Sequence, residues 1–227
     1  MELDKAKKLV VTIDGPAGAG KSTIARIVAG KLGLPYLDTG AIYRAIAWFL
    51  SENKVSAAEN EELPAWLARF DLSLAGGKVT VNGRDVTKEI RMPEVDGIVS
   101  SYAALRSVRD SLLELQRKQA VNGLVCDGRD MGTVVFPDAE LKIFLTASAE
   151  ERAKRRCAER EARGEQADYE ETLRQINERD EYDMHREVAP LRPADGCVIL
   201  DSTGMTIDEV VSAVSSLAAQ LGAQGSR

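Results

Sequence analysis

The segment Gly15-Pro16-Ala17-Gly18-Ala19-Gly20-Lys21-Ser22-Thr23 has the spacing G-x-x-x-x-G-K-[ST], and residues of those types in that order form a cradle for phosphate. Glycines let the backbone approach the ligand, while backbone N–H groups and the positive N-terminal end of the following helix hold the β-phosphate. Lys21 adds a mobile positive charge for the β and γ oxygens, and the Ser22 hydroxyl is placed to ligand Mg²⁺. The loop implies a nucleoside triphosphate and leaves the reaction open.

Further along, Asp127-Gly128-Arg129-Asp130-Met131-Gly132 follows a short apolar run. Asp127 suits Mg²⁺ or its waters and Arg129 a phosphate; the plainer alternative is a turn with internal ion pairs. Thr39, Tyr43 and Arg44 stand near the carboxyl end of a second apolar run. Thr39 and Tyr43, four residues apart, share a helix face, and an Arg and a Tyr there are candidates for gripping a second, anionic ligand. A capped helix with a surface Arg is the other reading. For Ser100, Ser101 and Arg109, spacing alone gives no more than solvated helix residues.

From Glu151 to Arg192 there are nine Arg and one Lys. Arg offers a planar fork for bidentate phosphate contacts, so the bias carries information. Arg152, Arg156, Arg160 and Arg163 fall on one helical stripe, although Glu151 with Arg155 and Glu159 with Arg163 have the i,i+4 spacing of surface pairs. Gly164-Glu165-Gln166-Ala167-Asp168 breaks the helix. A second helix then carries Arg179, Asp183 and Arg186, which either include a plain Arg179–Asp183 salt bridge or all project into a site. Two arginine-bearing helices joined by a glycine turn look like a lid.

These residues need a scaffold, and the periodicity predicts one. Leu9 to Ile13, Leu34 to Leu37, Gly123 to Cys126, Leu141 to Leu145 and Cys197 to Leu200 read as strands. Helices alternate with them, so an α/β fold with a five-stranded parallel sheet and helices on both faces is expected. Gly33 is a stop for the first helix, and a helix from Asp38-Thr39 runs to about Leu50. Ala57 to Phe70 has a helical pattern. Asp71 to Leu74, Lys78 to Val81 and Arg84 to Val86 read as small strands joined by Gly-Gly and Asn-Gly turns, an inserted subdomain. A helical region spans roughly Pro93 to Gln119. Thr206 and Glu209 form a capping box for a last helix whose face is Ile207, Val210, Val211, Val214 and Leu217, and the tail from Gly222 reads as disordered.

Composition narrows the function classes. The chain has 227 residues, 44% of them hydrophobic, and a net charge of −6. No apolar run reaches a membrane span and Met1 to Lys8 lacks the apolar segment of a signal peptide, so a soluble cytoplasmic protein is expected. Cys126, Cys157 and Cys197 show neither disulfide nor zinc spacing, and His185 is the only histidine. The one metal that fits is Mg²⁺ brought with the nucleotide; no prosthetic group is expected. The acidic balance argues against a nucleic-acid binder.

Taken together, the Gly15 to Thr23 loop, Asp38-Thr39-Gly40-Ala41-Ile42-Tyr43-Arg44, the run from Asp127 to Asp138 (DGRDMGTVVFPD) and Glu178-Arg179-Asp180 through Arg186 resemble bacterial cytidylate kinases of the nucleoside monophosphate kinase family. The resemblance extends from Lys8 to Leu221. It implies a P-loop kinase that moves the γ-phosphoryl of ATP to CMP or dCMP, giving ADP and CDP or dCDP. By position, Arg44 and Arg129 would hold the CMP phosphate, with Thr39 keeping a hydroxyl beside them. Ser100, Arg109, Asp130 and Arg186 would read cytosine, and Tyr43, Arg179 and Asp183 would lie along the sugar. Asp127 corresponds to an aspartate serving both magnesium and substrate. The strands after Phe70 resemble the family's monophosphate-binding insert. A single domain is expected, with a core of about 8–39, 105–150 and 187–221, an insert of about 40–104 and an Arg-rich lid of about 151–186. Its partners are ATP, ADP, CMP and dCMP, without nucleic acid or membrane, and the chain is expected to be a monomer. Rival readings are another small-molecule P-loop kinase, such as a UMP-type enzyme, and a nucleotide switch protein. The second lacks an N-K-x-D motif after the fourth strand, where Thr146-Ala147-Ser148 stands.

Overall fold

The structure, a computed structural model, describes residues 9–162 and 164–224; Arg163, and with it the expected Glu159–Arg163 pair, lies outside them, as do residues 1–8 and 225–227. The chain divides into two compact units: one runs up to Leu37 and resumes at Lys118, and the other is Asp38–Arg117. Among the described residues no helix is long and apolar enough to cross a membrane.

The first unit carries the expected five-stranded sheet. Its strands are β1 (Val10–Asp14), β2 (Tyr36–Asp38), β6 (Leu124–Gly128), β7 (Leu141–Thr146) and β8 (Val198–Asp201), in the order β2-β6-β1-β7-β8. β1 runs parallel to β6 and β7, and β7 to β8. The central strands are short apolar runs because helices must cover both faces of such a sheet. Val11, Ile13, Val125, Ile143 and Leu145 pack with Ile24, Ala25 and Val28 of α1 (Lys21–Leu32) and with Val210, Val211 and Val214 of α8 (Ile207–Gln224). α1 ends where Gly33 adopts φ 64° and returns its N–H to the Ala29 and Gly30 carbonyls, a left-handed cap that glycine reaches without strain. Between β7 and β8 lie α6 (Ala149–Ala162) and α7 (Tyr169–His185); the Asp168 side chain starts α7 by accepting from Glu171 N.

Two expectations for α8 need correction. The capping box is present, with Thr206 N donating to Glu209 at 2.8 Å and Glu209 N to Thr206 Oγ1 at 3.3 Å. Ile207, however, is 53% exposed, and burial begins only at Val210. The helix also continues through Gly222 to Gln224. One glycine costs a helix only about 1 kcal/mol, too little to end it.

In the second unit Asp38 caps α2 (Thr39–Glu52), its side chain accepting from Ala41 N. Ile42, Ile46 and Leu50 of α2 are buried, as are Val95, Val99 and Tyr102 of α4 (Pro93–Ala103), the helix packed against it. The meander appears as β3 (Leu72–Ala75), β4 (Lys78–Val81) and β5 (Arg84–Asp85), antiparallel in sequence order. Asn82 (φ 49°) and Gly83 (φ 80°) make the turn between β4 and β5, the paired positive φ of a tight hairpin.

Two helical readings are corrected here. Only Leu63–Leu67 of the segment from Ala57 to Phe70 forms a helix, α3. The Asn60 side chain accepts from Glu62 N at 3.0 Å and from Leu63 N at 2.8 Å, so local side-chain bonding takes the donors of the preceding turn. The region from Pro93 to Gln119 is two helices, α4 and α5 (Arg106–Lys118). Ala103 O accepts from the Arg109 guanidinium at 2.8 Å, while Ser107 N, its partner in a continuous helix, donates to Glu59 at 2.9 Å.

Candidate active site

In the first unit the phosphate loop links β1 to α1. Gly15, at φ 150°, runs so close to β7 that a Cβ there would lie 1.9 Å from Leu145 O. Gly18 and Gly20 also have positive φ, and Gly20 forms the N-terminal cap of α1. Lys21 is buried, its Nζ donating to Pro16 O at 2.7 Å. Burial above all, then the Arg129 guanidinium beside it, pulls the ammonium pKa down to about 7, against the pull of Asp127 and Asp14.

The Ser22 hydroxyl donates to Asp127 Oδ2 at 2.7 Å, and the Tyr36 hydroxyl to Asp127 Oδ1 at 2.8 Å. A hydroxyl and a buried carboxylate at the end of a phosphate loop suit Mg²⁺, which takes one or two carboxylates and completes its shell with water and phosphate. The described residues contain no group of three or more His, Cys, Asp or Glu that could hold a metal ion.

Beyond β6 the chain turns through a single π-type turn, Met131–Val135, a form often found at functional sites. Asp14, the last residue of β1, holds its start: one carboxylate oxygen accepts from Met131 N at 2.9 Å and the other from Gly132 N at 2.7 Å. Burial pushes the Asp14 carboxyl up to about 7; Asp130 adds to the rise, while the two N–H donors and Lys21 oppose it. Asp130 is itself buried. Arg129 donates from Nε to Asp183 Oδ2 at 2.9 Å, and Arg186 lies 3.7 Å from Asp183 Oδ1. Burial of Asp183 would raise its pKa, but Arg129, Arg179 and Arg186 together hold it below the usual carboxylate range. Asp183 is therefore met by Arg129 and Arg186, so it is not held by a plain Arg179–Asp183 pair alone. Arg186 sits just past α7 with extended backbone and fixes its guanidinium on Ala189 O at 2.8 and 2.6 Å.

In the second unit, Thr39, Tyr43 and Arg109 are buried. The Arg109 guanidinium stands 5.1 Å over the Tyr43 ring, within cation–π range. Arg44 is half-buried and pairs with Asp96 at 2.5 Å. Ser100 is half-buried on α4, with Ser101 exposed beside it.

Three residues that the sequence did not single out as site candidates belong to these arrangements, and two that it named, Arg152 and Asp180, take a part it did not give them. Asp14, Tyr36 and Asp96 orient the π-type turn, Asp127 and Arg44 respectively. Arg152, the first arginine of the helical stripe, is buried and pairs with buried Asp180. Asp14 left the clearest signal, an acid closing an apolar strand directly before the loop; for Tyr36 and Asp96 no sequence feature stands out.

Comparison with known proteins places this geometry. The model of the cytidylate kinase family matches residues 11–220. A cytidylate kinase of Carboxydothermus hydrogenoformans is 50% identical over 207 residues, covering 89% of this chain and 93% of the relative. Those of Desulfitobacterium hafniense and Pseudomonas aeruginosa are 48% and 47% identical, covering 93% and 90% of this chain and 93% of each relative. A solved structure of an uncharacterized protein from Eubacterium ventriosum overlays with a TM-score of 0.54 at 14% identity, over 94% of this chain and 99% of that one, which speaks to the fold alone. With the phosphate loop, the Ser22–Asp127 pair and the arginine–carboxylate cluster in one unit of a P-loop kinase fold, the chain belongs to the cytidylate kinase family.

Proposed function

We propose that the chain transfers the γ-phosphoryl of ATP, bound with Mg²⁺, to CMP or dCMP, releasing ADP and CDP or dCDP. The observation that carries this reading is the convergence of Lys21, the Ser22–Asp127 pair and Arg129 at the phosphate loop, in a chain of this family. Gly15 to Thr23 wrap the triphosphate, with Lys21 on its β and γ oxygens. Ser22 and, directly or through water, Asp127 would hold the ion. The ion so held would supply positive charge to offset the charge that develops on the transferring phosphoryl.

The acceptor needs no general base. Its second phosphate pKa lies near 6, so the attacking oxygen is already ionised at neutral pH. The protein's task is in-line placement and positive charge. Arg44 and Arg129 hold the acceptor phosphate, and Thr39 lies beside it. Asp183 keeps Arg129 oriented while contributing with Tyr43 and Arg179 along the sugar. Ser100, Arg109, Asp130 and Arg186 read the cytosine edge. Each Arg contact to phosphate in a closed site contributes roughly 2 to 4 kcal/mol.

In this reading the second unit contains the monophosphate-binding insert of about 40–104, and α6 with α7 forms a lid over the triphosphate. The enzyme is a cytoplasmic monomer that needs neither nucleic acid nor membrane.

The test separates acceptor from donor. Asp130→Ala and Arg186→Ala should each lower kcat/KM for CMP roughly 100-fold or more, the scale of a lost buried charge-assisted contact, with KM for ATP within about threefold of wild type. Wild-type CMP turnover in both variants would remove them from base reading.

A further inference from the structure

Arg152 projects from α6 toward the phosphate loop. Its side chain is only 6% exposed, and it bonds to three groups inside the protein. Nε donates to Ala147 O at 2.9 Å, in the connection between β7 and α6; Nη1 donates to Ala17 O at 2.9 Å and pairs with Asp180 Oδ2 at 2.6 Å. Asp180, on α7, accepts from Ala17 N with its other oxygen at 3.4 Å. One ion pair therefore takes both backbone polar groups of Ala17. The next residue, Gly18, stands at φ 76°, and a Cβ on it would meet Arg152 Cβ at 3.3 Å and Ile176 Cδ1 at 3.8 Å. Arg152 thus presses on the outer limb of the loop with its stem and bonds that limb with its head.

Nε and Nη1 of Arg152 and both oxygens of Asp180 are committed to these internal contacts. Two carbonyls and a carboxylate hold the two guanidinium nitrogens, and Arg152 is buried where Arg156 and Arg160 are only half-buried. A buried pair of this sort contributes little net stability, but breaking it by removing one partner is costly, because an uncompensated charge remains. Its value lies in fixing a geometry. Phosphate binding by backbone N–H groups requires those groups to point inward before the ligand arrives.

We propose that Arg152 and Asp180 are positioning residues for the triphosphate: they clamp the Ala17–Gly18 limb in its binding conformation and tie that conformation to the packing of α6 on α7. This rests on the reading of Gly15 to Thr23 as the triphosphate loop. Loosening α6 from α7 then loosens the loop, so ATP affinity responds to the state of these helices through the loop's own conformation.

The variants are Asp180→Asn, which keeps the shape and removes the charge, and Arg152→Lys, which keeps the charge and cannot bridge both groups. In each, hydrogen exchange at Ala17 to Gly20 should quicken and KM for ATP should rise, both by roughly 10-fold or more, the factor of a lost charge-assisted hydrogen bond. KM for CMP should stay within about threefold, and the double variant should be little worse than either single one. Unchanged exchange and unchanged ATP KM in both variants would overturn the proposal. So would equal damage to ATP and CMP accompanied by a large fall in Tm, since that marks a general structural role. If wild-type protein bound no ATP, the reading of the loop would fail, while exchange at Ala17 would still report whether the clamp exists.

Discussion

Asp14 shows how far a single side chain can carry the arrangement. Its carboxylate closes β1 and holds the turn that presents Asp130, yet burial pushes its pKa up to about 7 from 3.8. The folded chain therefore keeps a proton that the unfolded chain releases. The contribution of this group to stability is greatest below about pH 4, falls as pH rises through the window up to about 7, and is flat above it. Asp130 and Lys21 face the same carboxyl and modulate the midpoint. Between pH 5 and pH 8 the stability of wild type relative to Asp14→Asn should fall by about 2.5 kcal/mol, measured by chemical denaturation. A difference independent of pH would show that Asp14 does not titrate in this range. At the same scale, Asp127→Asn should lower kcat roughly 100-fold and raise the Mg²⁺ concentration needed for half-maximal rate, because both oxygens of Asp127 are committed at the loop. An unchanged Mg²⁺ requirement would take Asp127 out of ion binding. Lys21 with Ser22, and Asp127 with Arg129, were legible in the sequence because each pair sits in its own short local motif, although Ser22 meets Asp127 across 105 positions. Tyr36 and Asp96 were not: Tyr36 reaches Asp127 across 91 positions and Asp96 reaches Arg44 across 52, a pairing that only the fold creates.

At the scale of elements, the phosphate loop depends on two glycines for different reasons. Gly15→Ala places a Cβ 1.9 Å from the Leu145 carbonyl, a backbone atom of the central sheet. The strand or the loop must move, and Tm should drop by 10 °C or more, on the order of a cost above 3 kcal/mol for a domain of this size. Gly20→Ala meets nothing within 4 Å, so only the positive φ is strained, at about 1 to 2 kcal/mol, and Tm should fall by only a few degrees. Equal Tm losses in the two variants would contradict the close approach of loop and sheet. Strands and long helices were legible because burial imposes periodicity on them. The errors fell where side chains displaced regular bonding: Asn60 captured the donors ahead of α3, and Arg109 with Glu59 divided α4 from α5. Both captures use partners that hydrophobic periodicity does not see. The burial of Arg152 on Asp180 was likewise not visible in the helical stripe it shares with Arg156 and Arg160, because Asp180 lies on another helix.

For the whole molecule, the five-stranded sheet carries the loop, the Asp127 pair and the arginine–carboxylate cluster in one unit, and Asp38–Arg117 carries Thr39, Tyr43, Arg44, Ser100 and Arg109 in the other. The sheet order was not written in local pattern, because strand neighbours such as β6 and β1 are far apart in the chain. The central claim concerns the reaction, and its most direct test is ATP-dependent phosphorylation by the purified chain with Mg²⁺ across CMP, dCMP, UMP, AMP and GMP, beside a control without acceptor. The account predicts rapid formation of CDP and dCDP, with UMP, AMP and GMP slower by roughly 100-fold or more, the discrimination available to buried groups that hydrogen-bond one base edge, and negligible hydrolysis in the control. Equal rates across all five monophosphates, or ATP hydrolysis without an acceptor, would contradict it.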